Sequence, residues 1–175
     1  MTTFITTADL RAYVNNGKAA DEAQLQAAVD VACAAVEDGS GDTPGVGPVL
    51  EVSRTENVYA YGSALVLSAR VSSLTSIATY PGGVAQAVGD FRASGQVLQR
   101  VDGGLFGPVT VVYVTGSALV PSWAREAALV IAAHYWQSRL KMPGAPQPGV
   151  GIGYLVPAQA EAMLAPHRLA PLGFA

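Results

Sequence analysis

The residues of this chain that could do chemistry are few, and their spacing does not suit it. His134 and His167 stand alone. A metal site built around His134 needs a carboxylate one helical turn away, and Glu126 lies two turns off. His134 therefore reads as a helix residue whose charge matters only at a subunit contact. Ser63 and Ser117 each follow a glycine, but no Gly-x-Ser-x-Gly elbow is present and both read as turn residues. Glu51, Glu56, Asp90 and Asp102 are spaced like solvent-facing strand and turn residues, not like an acid–base pair. Asn16-Gly17-Lys18 lacks the upstream glycine and downstream hydroxyl of a phosphate loop. Gly149-x-Gly151-x-Gly153 has the wrong spacing for a dinucleotide fingerprint and reads as a flexible joint. Cys33, the only cysteine, falls on an apolar helical face and is expected as a buried free thiol. The expectation is no enzyme, no cofactor, no metal and no catalytic residue.

Composition points to assembly instead. Of 175 residues, half are hydrophobic and only 13% are charged, where about a quarter is usual. A chain of this length buries about 70% of its unfolded surface and needs no disulfide or metal to fold. Low charge at ordinary length implies further burial in subunit interfaces. The net charge is −3, Lys18 and Lys141 are the only lysines, and the arginines are scattered. Gripping nucleic acid needs concentrated positive charge, so DNA is expected to slide past without specific binding. The N-terminus does not read as a signal peptide. The longest strongly apolar helical run, 127–133, is too short to span a bilayer. A cytoplasm-like compartment is expected.

The elements follow from punctuation and periodicity. Thr6 and Thr7 can cap a short helix over 7–16, with Asp9 in its first turn and Asn16-Gly17 as its stop. A second helix over 21–38, capped by Asp21, carries Leu25, Val29, Ala32 and Val36 on one face. After a Gly/Pro-rich loop at 39–48, the stretch 49–115 reads as short strands: 49–53, 57–61, 65–71, 73–80, 97–101 and 109–115. The last of these is nearly all apolar and is expected to be central and covered on both faces. Gly-Ser-Ala-Leu-Val occurs at 62–66 and 116–120 with different flanks, which is coincidence rather than repeat. The strongest helix spans 121–142, opened by Pro121. It is apolar nearly all round, so it must be central or packed by neighbouring subunits. Its candidate subunit-packing residues are Trp123, Leu129, Ile131, His134 and Trp136.

The expected fold class is α+β: a helical bundle of two N-terminal helices and one long C-terminal helix, with an inserted antiparallel β region and an extended C-terminal arm. The expected organisation is a domain over 1–142, then a Pro/Gly hinge at 143–149 leading into an arm to residue 175, with a short strand near 152–156 and a helical turn over 158–164 opened by Pro157. The arm is too apolar to be loose. It either docks on another subunit or folds back to complete its own core.

The order of these parts resembles a known family. The capped short helix is followed by an alanine-rich helix containing Leu25-Gln26-Ala27-Ala28-Val29. A strand, Val109-Thr110-Val111-Val112-Tyr113-Val114-Thr115-Gly116, precedes Pro121-x-x-x-Arg125-x-Ala127-Ala128-Leu129 and His134-Tyr135-Trp136. The chain closes with Gly153-Tyr154-Leu155-Val156-Pro157 and an Ala-Glu-Ala-Met-Leu-Ala-Pro segment at 160–166. This is similar to the head–tail connector, or adaptor, proteins of long-tailed bacteriophages and related gene-transfer particles. The resemblance implies a homo-oligomeric ring, dodecameric in relatives, beneath the portal protein in the virion neck. It implies assembly in the host cytoplasm, a DNA channel, a next neck or tail protein on the other side, and no membrane. In relatives the C-terminal segment inserts against the portal. On that basis Tyr154, Leu155, Pro157, Leu164, Arg168, Leu172 and Phe174 are the candidate portal-binding residues. The long strand region departs from the shortest, mainly helical relatives. Competing readings are a stopper or tail-completion protein, which would be mostly strand-built, and a small enzyme or binding module.

Overall fold

The computed structural model describes residues 3–15, 22–40, 43–59, 62–140 and 156–169. The chain divides into two compact units, one from residues up to Val49 together with Val120–Arg168, the other spanning Leu50–Leu119.

The first unit is helical. Helix α1 (Thr7–Tyr13) opens with a reciprocal cap. The Asp9 N–H donates to the Thr6 hydroxyl at 3.1 Å, and the Thr6 N–H donates to the Asp9 carboxylate at 2.9 Å. Two otherwise unpaired donors are thereby satisfied. After Val14, Asn15 takes a left-handed φ of 51°, a conformation its short polar side chain tolerates. The expected stop at Asn16-Gly17 and the cap at Asp21 lie outside the described residues. Helix α2 (Glu22–Glu37) buries Leu25, Val29, Ala32 and Val36, the face expected from their spacing, together with Cys33. Strands β1 (Gly39–Ser40) and β2 (Thr43–Pro44) form a small antiparallel hairpin. The chain then turns back on α2: the Val46 and Gly47 N–H groups donate to the carbonyls of Val36 and Glu37, each at 3.0 Å.

Helix α3 (Ser122–Tyr135) is the centre of this unit. It packs against α1, α2 and α4 (Ala158–Leu164). Ala124 and every residue of 127–133 are buried. The nearly continuous apolar surface is thus covered within the chain on three sides. Pro121 sits at the N-cap, one position before the helix. Residues 136–140 widen into a π-helical turn, and the last two positions of the expected helix lie outside the described residues.

The second unit is built of strands. The four-stranded antiparallel sheet runs β3-β9-β5-β6, from β3 (Val52–Val58), β5 (Ser73–Thr79), β6 (Ala85–Gln86) and β9 (Val109–Thr115). A three-stranded sheet runs β4-β8-β7, from β4 (Ala64–Val66), β7 (Phe91–Ser94) and β8 (Val97–Arg100). Leu65, Leu67, Phe91, Leu98 and Phe106 share a core with Ile77, Val109, Val111 and Tyr113. Strand β9 has neighbours on both sides, as its apolar run suggests. Its burial alternates, however: Val109, Val111, Tyr113 and Thr115 are buried, whereas Thr110, Val112 and Val114 are half-exposed. The expectation of cover on both faces does not hold.

The expected fold class is corrected on its main point. This is not a helical bundle with a β insertion. Residues 50–119 are a compact unit with its own core; the helical turn expected over 158–164 is present as α4, and it is docked on α3. Local pattern missed the scale of the β unit for a physical reason. β6 and β7 are short, mostly exposed strands whose Ala, Gln, Arg and Ser give little strand signal. The expected strands 49–53 and 57–61 are one strand, because polar Arg54, Thr55 and Glu56 continue the ladder.

Two measurements probe this framework. Gly116 has φ of +86°, and an added Cβ would fall 2.2 Å from the Leu50 carbonyl oxygen. Gly116→Ala is expected to cost more than about 2 kcal/mol in urea unfolding. Gly83→Ala, also at positive φ but facing open space, should cost about 1 kcal/mol. The Thr6 main-chain N–H is the largest influence holding the Asp9 carboxyl below its usual range; burial opposes it, while the Thr6 hydroxyl and Arg125 assist. A depressed folded-state pKa stabilises above the unfolded value and loses that contribution as pH falls through the folded one. Asp9→Asn should therefore be less stable than the parent at pH 7, with the gap closing below about pH 4.

Candidate functional site

The carboxylates that sequence could have cast as an acid–base pair are dispersed over separate elements, and Asp102 and Glu56 are engaged structurally. Glu51 precedes β3, Asp90 closes a 3-10 turn, and Asp102 sits in the turn after β8. Arg100 donates to Asp102 at 2.9 and 2.6 Å and the Gly104 N–H donates at 2.9 Å. These bonds, led by that of Arg100, hold the Asp102 carboxyl well below the usual range. Glu56 accepts from the Tyr113 hydroxyl, the Ser68 hydroxyl and the Ser68 N–H, the last at 3.1 Å. Burial, then the Glu56 bond, pushes the Tyr113 phenol up. The chemistry of this group is structural: a carboxylate satisfies a phenol whose ring lies in the core.

The remaining nucleophile and ligand candidates behave similarly. Cys33 is fully buried, and that burial raises its thiol pKa; a thiol so held is not an activated nucleophile. Among the described residues, no group of three or more His, Cys, Asp or Glu could hold a metal ion. His134 is exposed on α3. His167 stacks face to face on Trp123, with ring centroids 3.9 Å apart and an interplanar angle of 6°.

The helical unit disposes of many candidate interface residues itself. Leu129, Ile131 and Trp136 are buried within the chain. Trp123 is half-covered. Of the candidate portal-binding residues, Leu164 is 2% exposed. Pro157 occupies the N-cap position of α4. Arg168 pairs with Glu161 and donates to the Pro44 carbonyl at 3.0 Å. Tyr154, Leu155, Leu172 and Phe174 lie outside the described residues.

The β unit carries an exposed feature that sequence reading missed. At the end of β3 and β5, Tyr59 and Tyr80 meet edge to face with centroids 5.5 Å apart. Val84 and Leu105 are 66% and 70% exposed. The Tyr80 N–H donates to the Pro108 carbonyl at 2.9 Å, tying this end of β5 to the segment entering β9. The available signal was the pair of tyrosines placed just past strand ends, one directly before Pro81-Gly82-Gly83.

The docked α4 gives a direct stability test. Leu164→Ala removes a buried side chain between α4 and its neighbours. The expected loss is about 2–5 kcal/mol in urea unfolding. A loss below about 1 kcal/mol would show that α4 is not docked as described.

No family model matches the chain, and no curated protein matches it. Among solved structures, it is similar to a chain of the virion of a native gene transfer agent (GTA) particle. The TM-score is 0.64 with 18% sequence identity, and the alignment covers 99% of this chain and 93% of that one. The two share a fold from end to end.

Proposed function

We propose that this chain is a non-enzymatic structural component of a phage-like virion. The observation that carries the reading is the fold shared, over nearly its whole length, with a chain of a gene transfer agent virion. Within that class we assign it the role of head-to-tail adaptor: a ring, dodecameric by resemblance, joining the portal to the next neck or tail protein. The low charge and the scatter of its arginines suit a channel wall that DNA passes without being held. The site of action is the neck of the particle, after synthesis in the host cytoplasm.

For portal contact, Tyr154, Leu155, Leu172 and Phe174 are the anchors we favour. Leu164 and Arg168 already have partners inside the chain. Deleting the whole segment from residue 150 would strip α4 from α3, so point substitution is the cleaner test. The size of the β unit, with its own core, favours one second reading, a stopper or tail-completion protein. Such a protein would bind an adaptor–portal complex and not the portal alone.

The test is electron microscopy of the protein mixed with its portal, alongside binding measurements. A ring with a central channel on the portal is expected. Leu172→Ser with Phe174→Ser should weaken binding at least about tenfold. No ring on the isolated portal would overturn the adaptor role, and unchanged binding by the double variant would overturn the assigned anchors.

A further inference from the structure

Strand β3 is an edge of its sheet, and its hydrogen-bonding direction can be derived. Beyond a register shift between Leu74 and Ser76, β5 pairs Ser76 with Val112 and Ala78 with Thr110. The Tyr80 N–H donates to Pro108 and the Ser72 N–H to Val114. Even-numbered residues of β9 therefore direct their main-chain groups towards β5. Main-chain direction alternates along a strand, so Val109, Val111, Tyr113 and Thr115 point towards β3. Their partners are Val58, Glu56, Arg54 and Val52. Ser53, Thr55 and Asn57 are left directing N–H and C=O outwards. No strand among the described residues pairs with that side.

An open seven-residue edge is normally guarded by charged side chains, above all lysine, by proline or by a bulge. β3 contains no lysine or proline, and its pairing with β9 runs without a register shift. What it carries is a self-complementary sequence, Val52-Ser53-Arg54-Thr55-Glu56-Asn57-Val58. Turned antiparallel about Thr55, it sets Val against Val, Ser against Asn, Arg against Glu and Thr against Thr.

We infer that β3 pairs with β3 of a second copy of this chain, antiparallel and centred on Thr55, to form a two-fold dimer with a continuous sheet. The outward residues form three hydrogen-bonded pairs, Ser53 with Asn57, Thr55 with Thr55 and Asn57 with Ser53, each exchanging two main-chain bonds. Arg54 and Glu56 fall in the closer, non-hydrogen-bonded positions, where side chains directly opposite one another interact. Among the described residues Arg54 forms no ion pair within its own chain; it donates to the Ser68 hydroxyl at 3.3 Å. The second copy's Glu56 supplies the missing charge.

The charges also fix the register. Sliding the second strand by two residues one way sets Arg54 against Arg54. Sliding it the other way sets Glu56 against Glu56. Like charges directly opposite are unfavourable, so only the register centred on Thr55 matches both ends. Val52 and Val58 then cover each other at the two ends of the pair.

A closed two-fold contact uses the same patch on both subunits, whereas a larger cyclic ring needs two different patches. The β3 dimer therefore belongs to the free chain and conceals its edge before assembly. It does not rest on the virion reading.

The experiment is light scattering on the full chain from about 5 to about 500 µM, with disulfide trapping. A concentration-dependent dimer is expected. Thr55→Cys should cross-link to a covalent dimer on oxidation, because paired Cα atoms across such a ladder lie within disulfide reach. Ser53→Cys should not, because it faces Asn57. The native Cys33 is buried and does not compete. Thr55→Pro removes an outward N–H that bonds nothing within the chain, and edge strands tolerate proline. It should leave the circular dichroism spectrum unchanged and shift the dimer midpoint at least about tenfold. A monomer at every concentration overturns the inference and leaves the edge to a strand of another protein. Equal cross-linking of Ser53→Cys and Thr55→Cys overturns the register.

Discussion

The constraint on which the helical unit depends is the apolar surface of α3. Ala124, every residue of 127–133, Tyr135 and Trp136 are buried. A helix with so little polar surface cannot lie on the outside of a small unit. It has to be enclosed, and α1, α2 and α4 enclose it. Alanine at four of the seven positions 127–133 contributes little area of its own. It lets neighbouring helices come close, so Leu10, Leu25, Val29 and Leu164 complete the core. The chain reaches this arrangement only after crossing the β unit, so the core of the helical unit joins segments distant in sequence.

Polar contacts tie the rim of that assembly. Arg125 of α3 donates to Asp9 of α1 at 2.7 Å, Thr7 and Arg11 of α1 both reach Glu22 of α2, and Arg168 meets Glu161 and the Pro44 carbonyl. Exposed ion pairs of this kind contribute little stability individually; their effect is to fix which face of each helix meets its neighbour. The β unit solves a different problem. Tyr113 fills the core with its ring while its hydroxyl needs an acceptor, and Glu56 across the ladder provides one. That turns Glu56, and with it Arg54, onto the inner face. The outer side of β3 is left with small uncharged residues only.

Chemistry-bearing residues are distributed in the way these constraints predict. Asp9, Asp102, Glu56, Cys33 and His167 are held by caps, turns, packing or stacking on separate elements. Other features face solvent. The exposed tyrosine pair at one end of the sheet, the open edge of β3 and the solvent-exposed His134 of α3 are of that kind.

By itself the sequence pointed to helices over 7–16, 21–38 and 121–142, observed over 7–13, 22–37 and 122–135, to the helical turn over 158–164, the cap at Thr6 and Asp9, the buried thiol and the central position of 109–115. All rest on interactions within a few residues or on a strong apolar period, which a local pattern records. Tertiary structure alone decided that 50–119 is a unit with its own core, that 158–164 docks on α3, and that Leu129, Ile131, Trp136 and Leu164 are covered by their own chain. An apolar residue shows in sequence only that it must be covered. Whether the cover comes from the same chain or another depends on contacts between distant segments, and no local period encodes them.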